Sequence, residues 1–247
     1  MNELRTMHLF AGHGGGLLAD LILGHRPIVA VEWDRYACQV LRERASDGWF
    51  PGLHVWEGDV RLFDPSEYAG SVDCIHAGFP CQDISVAGKQ AGVSEGTRSG
   101  LYREVLRIAG VVRPKQLFLE NVSAILSNGL GTVLGDMATL GYDCRWLCIR
   151  ASDVGAPHHR DRWFLLADAD QGRFKTIEQP KKRIPEKGRS FIWDSFGATH
   201  NASRLEALGC VRRKHDGFSN EFHRLQGLGN AQVPIQAATA YRLLGGR

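Results

Sequence analysis

Along the first two thirds of the chain, short apolar runs alternate with amphipathic stretches, and the runs end in glycine or in an acidic residue. The run closing over residues 8–11, and those at 27–31, 53–56, 72–77 and 115–119, are short and largely apolar, which predicts strands. Between them, residues 17–23 ended by Gly24, then 35–44, 101–110 and 130–140, carry the spacing of helices. Residues 142–149 and 163–167 read as an antiparallel hairpin, and 235–244 as a closing helix. Strands alternating with helices predict an α/β fold around a largely parallel sheet, in which ligands gather at the carboxyl ends of the strands.

Those ends carry the polar residues. The first strand runs into Gly12, Gly14, Gly15 and Gly16, and glycines there let backbone amides approach a ligand at the N-terminus of the next helix. The second ends in Glu32 with Trp33 beside it. An acid at that tip suits the two hydroxyls of a ribose, and the indole suits stacking on a purine. A Glu-Trp-Asp capping turn accounts for the same residues. Asp59, after Gly58, is a further acid at a strand end.

The run at 72–77 leads through Gly78 and Pro80 to Cys81, and the run at 115–119 leads to Glu120, so a thiol and a carboxyl are expected at one edge of one sheet. Cys81 taken alone reads as a small buried hydrophobe; beside Glu120 it reads as a nucleophile. Residues 82–100, rich in Gly, Ser and Thr and carrying Lys89 and Arg98, have no steady period and suit a loop that closes over a substrate. The hairpin turn gathers His158, His159, Arg160 and Arg162. Adjacent histidines point in different directions, so no metal is expected there.

Composition narrows the class. An apolar fraction of 43% with 23% charged residues belongs to a folded globular chain. The net charge of +3 permits nucleic-acid binding without requiring it, but its distribution is uneven. Over 173–189, Arg173, Lys175, Lys181, Lys182, Arg183, Lys187 and Arg189 face only Glu178 and Glu186. The six cysteines lack the paired short spacings of a zinc site, which predicts free thiols in a reducing cytoplasm. No signal peptide precedes Met7 and no apolar run approaches a membrane span, so no membrane partner is expected.

Cys81 with His158 or His159 as base would make a cysteine hydrolase, a reading that leaves Glu120 and the glycine-rich opening without a role. The segments LFAGHGGG, VEWD, GDV, GFPCQ, ENV, GAPHHRDR and GLGNAQVP, in that order, resemble the DNA cytosine-5 methyltransferase family over nearly the whole chain. The resemblance implies a Rossmann-like S-adenosylmethionine-dependent methyltransferase sheet in a catalytic and cofactor-binding domain, 1–170. It implies a reduced, basic target-recognition region over 171–222, and a C-terminal motif and helix, 223–247, returning to the catalytic domain. The implied cofactor is S-adenosylmethionine, leaving as S-adenosylhomocysteine, with no metal. Phe10, Ala11, Gly12, Gly14 and Gly15 would bind it, with Glu32 on the ribose, Trp33 against the adenine, Asp59 at the adenine amino group, and Val60, Pro80, Asn230, Gln232 and Val233 completing the site.

By the same resemblance, Cys81 is the nucleophile, Glu120 contacts the ring N3 and exocyclic amine of cytosine, and Arg160 and Arg162 position Cys81 and bind the base or its phosphate. Gln82, Ser85, Lys89 and Arg98 would meet DNA from the loop, and Lys181, Lys182, Arg183 and Arg213 from the recognition region. The implied partners are double-stranded DNA and a cognate restriction endonuclease, for a bacterial or phage-encoded monomer acting in the cytoplasm. An RNA cytosine-5 methyltransferase and a noncatalytic DNA-binding homologue are alternatives that share these residues.

The residue types suit that chemistry. Cytosine C5 is a poor nucleophile; thiolate attack at C6 pushes electron density onto it, and a carboxyl at N3 stabilises the charge that develops. A stacked base cannot be attacked this way, so it must be flipped out. Three positions depart from the family pattern: His8 stands where an Asp is usual, His158 where a Gln is usual, and Asp83-Ile84 where Phe-Ser is common. The interval 167–224 is short for target recognition, which predicts a short site or modest specificity.

Overall fold

A computed structural model describes residues 3–80, 101–169 and 232–246. Cys81, Gln82, Ser85, Lys89, Arg98, Lys181, Lys182, Arg183, Arg213 and Asn230 lie outside the described residues. In chain order the elements are β1 (Arg5–Leu9), α1 (Gly15–Leu23), β2 (Arg26–Glu32), α2 (Arg35–Ser46), β3 (His54–Glu57), β4 (Cys74–Gly78), α3 (Leu101–Val112), β5 (Gln116–Val122), α4 (Ile125–Asn128), α5 (Leu130–Thr139), β6 (Tyr142–Arg150), β7 (Asp161–Ala169) and α6 (Pro234–Leu243).

The strands form one seven-stranded sheet in the order β3-β2-β1-β4-β5-β7-β6. Only β7 runs against its neighbours, pairing antiparallel with β5 and with β6. The α/β, Rossmann-like expectation therefore holds, including the hairpin of the last two strands. Strand order reverses between β1 and β4, and the crevice outside the carboxyl ends of such a pair is where an open α/β sheet takes a ligand. The glycine-rich turn leaves β1 there, and the segment leading to Cys81 leaves β4 there.

Each face of the sheet is buried, for different reasons. On one, Met7, Leu9, Val31, Ile75, Leu117, Leu119 and Leu165 pack with Val105 and Ile108 of α3 and Val133 and Met137 of α5 into a largely apolar layer. On the other, Cys74, Phe118, Phe164 and Leu166 meet Ala19 of α1 and Ala237 and Tyr241 of α6. Near the amino ends of β1, β4 and β5, buried Asp73 accepts from Arg5 Nε at 2.9 Å and Lys115 Nζ at 2.8 Å. Burial pushes the Asp73 carboxyl up, but these donors outweigh it and hold it well below the usual range.

Two boundaries differ from the sequence reading. The first strand ends at Leu9 rather than Ala11, because Phe10 turns into the left-handed region at φ 57 and starts the loop. The fifth runs on to Val122, so Glu120 lies inside a strand instead of beyond its end; it pairs with Gly78 of β4 on one side and Phe164 of β7 on the other. Pairing on both sides satisfies the backbone there, which lets the strand continue through polar side chains.

Candidate functional site

The loop between β1 and α1 is built for close approach. Gly12 and Gly14 sit at φ 52 and φ 90, and Gly14 caps α1 without a side chain, so the first amides of the helix face the crevice unblocked. Glu32 closes the loop from the next strand. Its Oε2 accepts from Gly12 N at 2.7 Å, and its Oε1 from Trp33 N and Asp34 N at 2.8 and 2.9 Å. Three amides thus fix the carboxylate, filling both lone-pair sites of Oε1 and leaving one on Oε2 for a hydroxyl. Beside it, Trp33 is 78% exposed, a large indole with nothing over it among the described residues. Asp59 is less available than its place after β3 suggested: its carboxylate grips Arg61 Nε at 2.9 and 3.0 Å. Val60, next to it, is buried.

At the other end of the crevice stands Glu120. Arg162 Nε approaches its Oε1 at 3.0 Å, and Gln232 Nε2 donates to its Oε2 at 3.3 Å. Burial pushes the Glu120 carboxyl up, and the opposing pull of Arg162, Gln232 and Arg160 does not cancel it. A carboxyl so poised holds or shares a proton at higher pH than a surface glutamate, which is what hydrogen bonding to a ring nitrogen asks of it. Arg160, from the same turn as Arg162, has φ 29 and a guanidinium pushed down by burial. Its carbonyl accepts from Gln236 Nε2 at 2.9 Å, as does that of Ile149 at 2.8 Å, so α6 clamps the hairpin that carries both arginines. Asn121 Nδ2 donates to Phe79 O at 3.1 Å, fixing the chain just ahead of exposed Pro80.

Strand register places these groups on a single face of the sheet. His8 pairs with Ala30, two residues before Glu32, and with His76; His76 pairs with Phe118, two before Glu120; Val122 pairs with Arg162. Alternation along each strand therefore puts Glu32, His8, His76, Glu120 and Arg162 on the side covered by α1 and α6. A small cavity of about 20 Å³ on that side is lined by Phe10, Ala11, Gly16, His8, His76 and Gln232, among others.

The floor of this layer was not anticipated. His8 Nε2 meets Asp20 Oδ2 at 2.7 Å, Thr6 Oγ1 donates to the same oxygen, and His25 Nδ1 lies 3.5 Å from Asp20 Oδ1. Burial pushes the Asp20 carboxyl up, and the histidines around it overcome that and hold it ionised. An ionised Asp20 only accepts, so the shared proton sits on His8 Nε2. The His8 and His76 rings are 4.9 Å apart, and burial pushes His76 down to about 3, leaving it neutral. Ligand atoms of His8, Asp20 and His76 come within 4.8 Å of one another, but Thr6, His8 and His25 already occupy the Asp20 oxygens, and the cluster is a hydrogen-bonded network. The signals were present in the chain: Asp20 is the one charge in an otherwise apolar helix, and His76 interrupts an apolar strand.

Of the other expected cofactor residues, Gly15 lies against Gln232, where a Cβ would come within 2.4 Å of the Gln232 carbonyl oxygen, and Val233 precedes the Pro234 that opens α6. Among the described residues no helix is long and apolar enough to cross a membrane.

Residues 4–231 match the family model for C-5 cytosine-specific DNA methylases. The chain is 40% identical over 168 residues to the type II methyltransferase M.CviJI of Paramecium bursaria Chlorella virus IL3A, an alignment covering 67% of this chain and 43% of that one. It is 33% identical over 198 residues to M.HhaI of Haemophilus parahaemolyticus, covering 78% and 57%. It spans about half the length of the curated relatives it matches. Among solved structures, a putative DNA modification methyltransferase from an Escherichia coli prophage aligns with TM-score 0.54 at 26% identity, over 73% of this chain and 51% of that one. The Schizosaccharomyces pombe Dnmt2 methyltransferase shares the fold with TM-score 0.56 at 15% identity, over 98% and 94%.

Proposed function

The chain belongs to the C-5 cytosine-specific DNA methylase family, and from that premise we propose that it transfers a methyl group from S-adenosylmethionine to C5 of a flipped-out cytosine in double-stranded DNA, through a covalent bond between Cys81 and C6. The observation that supports this reading most directly is Glu120, a buried carboxyl gripped by Arg162 and Gln232 one strand away from the segment that ends next to Cys81.

The residues present fit the cofactor. Uncapped amides at the N-terminus of α1, the amide-held carboxylate of Glu32 and the open indole of Trp33 form a row that suits an amino-acid end, a ribose and a purine. When bound, S-adenosylmethionine supplies an electrophilic methyl on its sulfonium. Glu32 would take the ribose hydroxyls, Trp33 and Val60 the adenine, with Asp59 reaching its amino group from an ion pair with Arg61, and Phe10, Ala11, Gly12, Gly14, Gly15, Pro80, Asn230, Gln232 and Val233 would enclose the rest.

Cys81 attacks C6 of the cytosine, and the electron density released into the ring is met at N3 by the proton that Glu120 holds. Arg162 keeps the Glu120 carboxyl aimed and, with Arg160, brings positive charge to the base. After methylation, loss of the C5 proton and departure of Cys81 leave 5-methylcytosine. Residues 82–100 close over the flipped base, and 171–222 form a small recognition region whose Lys181, Lys182, Arg183 and Arg213 meet phosphates or base edges. In the same proposal this chain acts as a monomer inside the cell, with a cognate restriction endonuclease as its partner.

Incubation of the chain with duplex DNA and labelled S-adenosylmethionine, followed by base-resolved mapping, is expected to show 5-methylcytosine in one short sequence context. Cys81→Ala is expected to abolish transfer while S-adenosylhomocysteine still binds. Full transfer by Cys81→Ala sinks the mechanism, and methylation of RNA alone sinks the assigned substrate.

A further inference from the structure

We infer that Gln232 is the positioning residue of Glu120, and that His76, on the same face of the sheet, orients the Gln232 amide so that its nitrogen end meets the carboxyl. The inference deepens the methyltransferase reading and rests on it for the reaction, though not for the contact itself.

Glycines make the space for this side chain. A Cβ on Gly16 would come within 2.8 Å of Gln232 Oε1, and one on Gly78 would lie 3.0 Å from both Gln232 Nε2 and Glu120 Oε2. With the Gln232 carbonyl against Gly15, the residue is wedged between the β1–α1 loop and the exit of β4, where any larger neighbour would expel it. From there Nε2 reaches Glu120 Oε2 while Arg162 holds Oε1, so each carboxyl oxygen has its own donor.

An amide offers a donor at one end and an acceptor at the other, and turning it over would set Oε1 against a carboxylate. His76 decides the orientation. Its ring is 2% exposed and neither of its nitrogens has a hydrogen-bond partner among the described residues; the His8 ring stands 4.9 Å away, and the Gln232 Oε1 end and the His76 ring both crowd the space above Gly16. A neutral imidazole carrying one N–H can donate to Oε1, leaving Nε2 for Glu120. Behind His76 stand His8 and the ionised Asp20, with Thr6 and His25 on Asp20. The groups facing Glu120 are Gln232, Arg162 and Arg160, so a buried polar row runs from α1 beneath the cofactor loop to the reacting carboxyl.

The test reads Glu120 itself, by a 13C NMR titration of its carboxyl carbon assigned with Glu120→Gln, and needs no turnover. Gln232→Met, which keeps the volume and removes the donor, is expected to move the Glu120 midpoint to higher pH by about one pH unit. Gln232→Glu, which places a like charge beside it, moves it further in the same direction. His76→Leu moves it less, and His76→Gln, which retains a donor, restores it. An unchanged midpoint in Gln232→Met overturns the inference, and equal midpoints in His76→Leu and His76→Gln overturn the part assigned to His76.

Where the wild-type chain methylates DNA, Gln232→Met also slows single-turnover transfer at saturating S-adenosylmethionine about tenfold, with its pH profile displaced as the midpoint is. A loss confined to cofactor affinity makes Gln232 a wall of the groove and overturns its positioning role. Wild-type protein without transfer, but with the midpoint displaced in Gln232→Met, defeats the methyltransferase reading and leaves the contact standing.

Discussion

The two faces of the sheet are made by the same strands and divide the work between them. The side packed on α3 and α5 is dominated by apolar side chains, from Met7 and Leu9 through Ile75 to Leu117, Leu119 and Leu165, with Asp73 and Asn121 holding its two ends by hydrogen bonds. The side packed on α1 and α6 interleaves Phe118 and Phe164 with His8, His76, Glu120 and Arg162. A strand buried on both faces needs apolar residues at every position only when neither face has a task. Here one face supplies cohesion through dispersion and the hydrophobic effect, which carry no directional information. The other spends part of its burial on directional hydrogen bonds and shifted proton affinities, which do. The lesson is that alternation in a parallel sheet need not mean inside and outside; it can separate stability from chemistry.

The strongest way to break this division is to remove a polar group and look for lost stability in place of lost chemistry. Glu120→Gln keeps shape and hydrogen-bonding capacity but cannot supply the proton, and single-turnover methyl transfer is expected to fall at least a hundredfold, with the thermal midpoint little changed. An unaltered rate removes Glu120 from the reaction. On the opposite face, Leu117→Ala, at a fully buried position between Ile75 and Ala167, should cost about 2–5 kcal/mol in denaturant unfolding while each folded molecule keeps its rate. If Leu117→Ala instead lowered the rate of the folded fraction, the two faces would not be separable.

Much of this arrangement was legible before any coordinates. The runs at 27–31 and 72–77, the helix at 35–44 and the hairpin are recovered with shifts of a few residues, because short apolar runs between amphipathic segments have few alternatives in a chain of this size. Glu120 was singled out by its place after an apolar run, Arg162 by its place in a hairpin turn, and both by an ordered set of motifs; the structure brings the two into contact. What was hidden depends on register. Whether His8 and His76 share a face follows from which residue of β1 lies beside which of β4, and only the paired strands show it. Asp20 was hidden for the same reason, since a helical acid signals a buried partner only when the opposing strand is known. The bidentate grip of Arg61 on Asp59 was equally invisible, because a strand-end acid looks available until its neighbour's side chain is placed.

Buried His76 also gives the polar face a response to acid of its own. His76 titrates at about 3 in the fold and near its ordinary 6.5 once exposed, so between these values the unfolded chain binds the extra proton and stability falls as pH falls. Glu120, whose carboxyl is pushed up by burial, works in the opposite sense above the ordinary carboxyl value of 4.5. The difference between wild type and His76→Leu isolates the first effect: from pH 6.5 to 5 the wild type should lose about 1.6 kcal/mol more than the variant, somewhat under the limit of about 1.4 kcal/mol per pH unit for one proton because the unfolded imidazole is half protonated at the start. Parallel pH curves for the two would mean that His76 is solvated in the native protein, and the polar face would not be sealed.

The smallest effect separates polar residues that act on a ligand from those that only hold backbone. Asp34 lies beside Glu32 and Trp33, yet its side chain accepts from Ala37 N at 2.8 Å and caps α2, while its contribution to Glu32 comes from its own amide. Asp34→Ala should therefore cost about 1 kcal/mol of stability, the usual loss for a helix cap, and leave the Glu32 grip intact because the amide remains. S-adenosylhomocysteine affinity, measured by calorimetry, is expected to stay within about threefold of wild type, since only fraying of the first turn of α2 would loosen the loop. A loss of binding far beyond that would show that the carboxylate of Asp34 itself reaches the cofactor, and the line between scaffold and site would then have to be drawn one residue further along the chain.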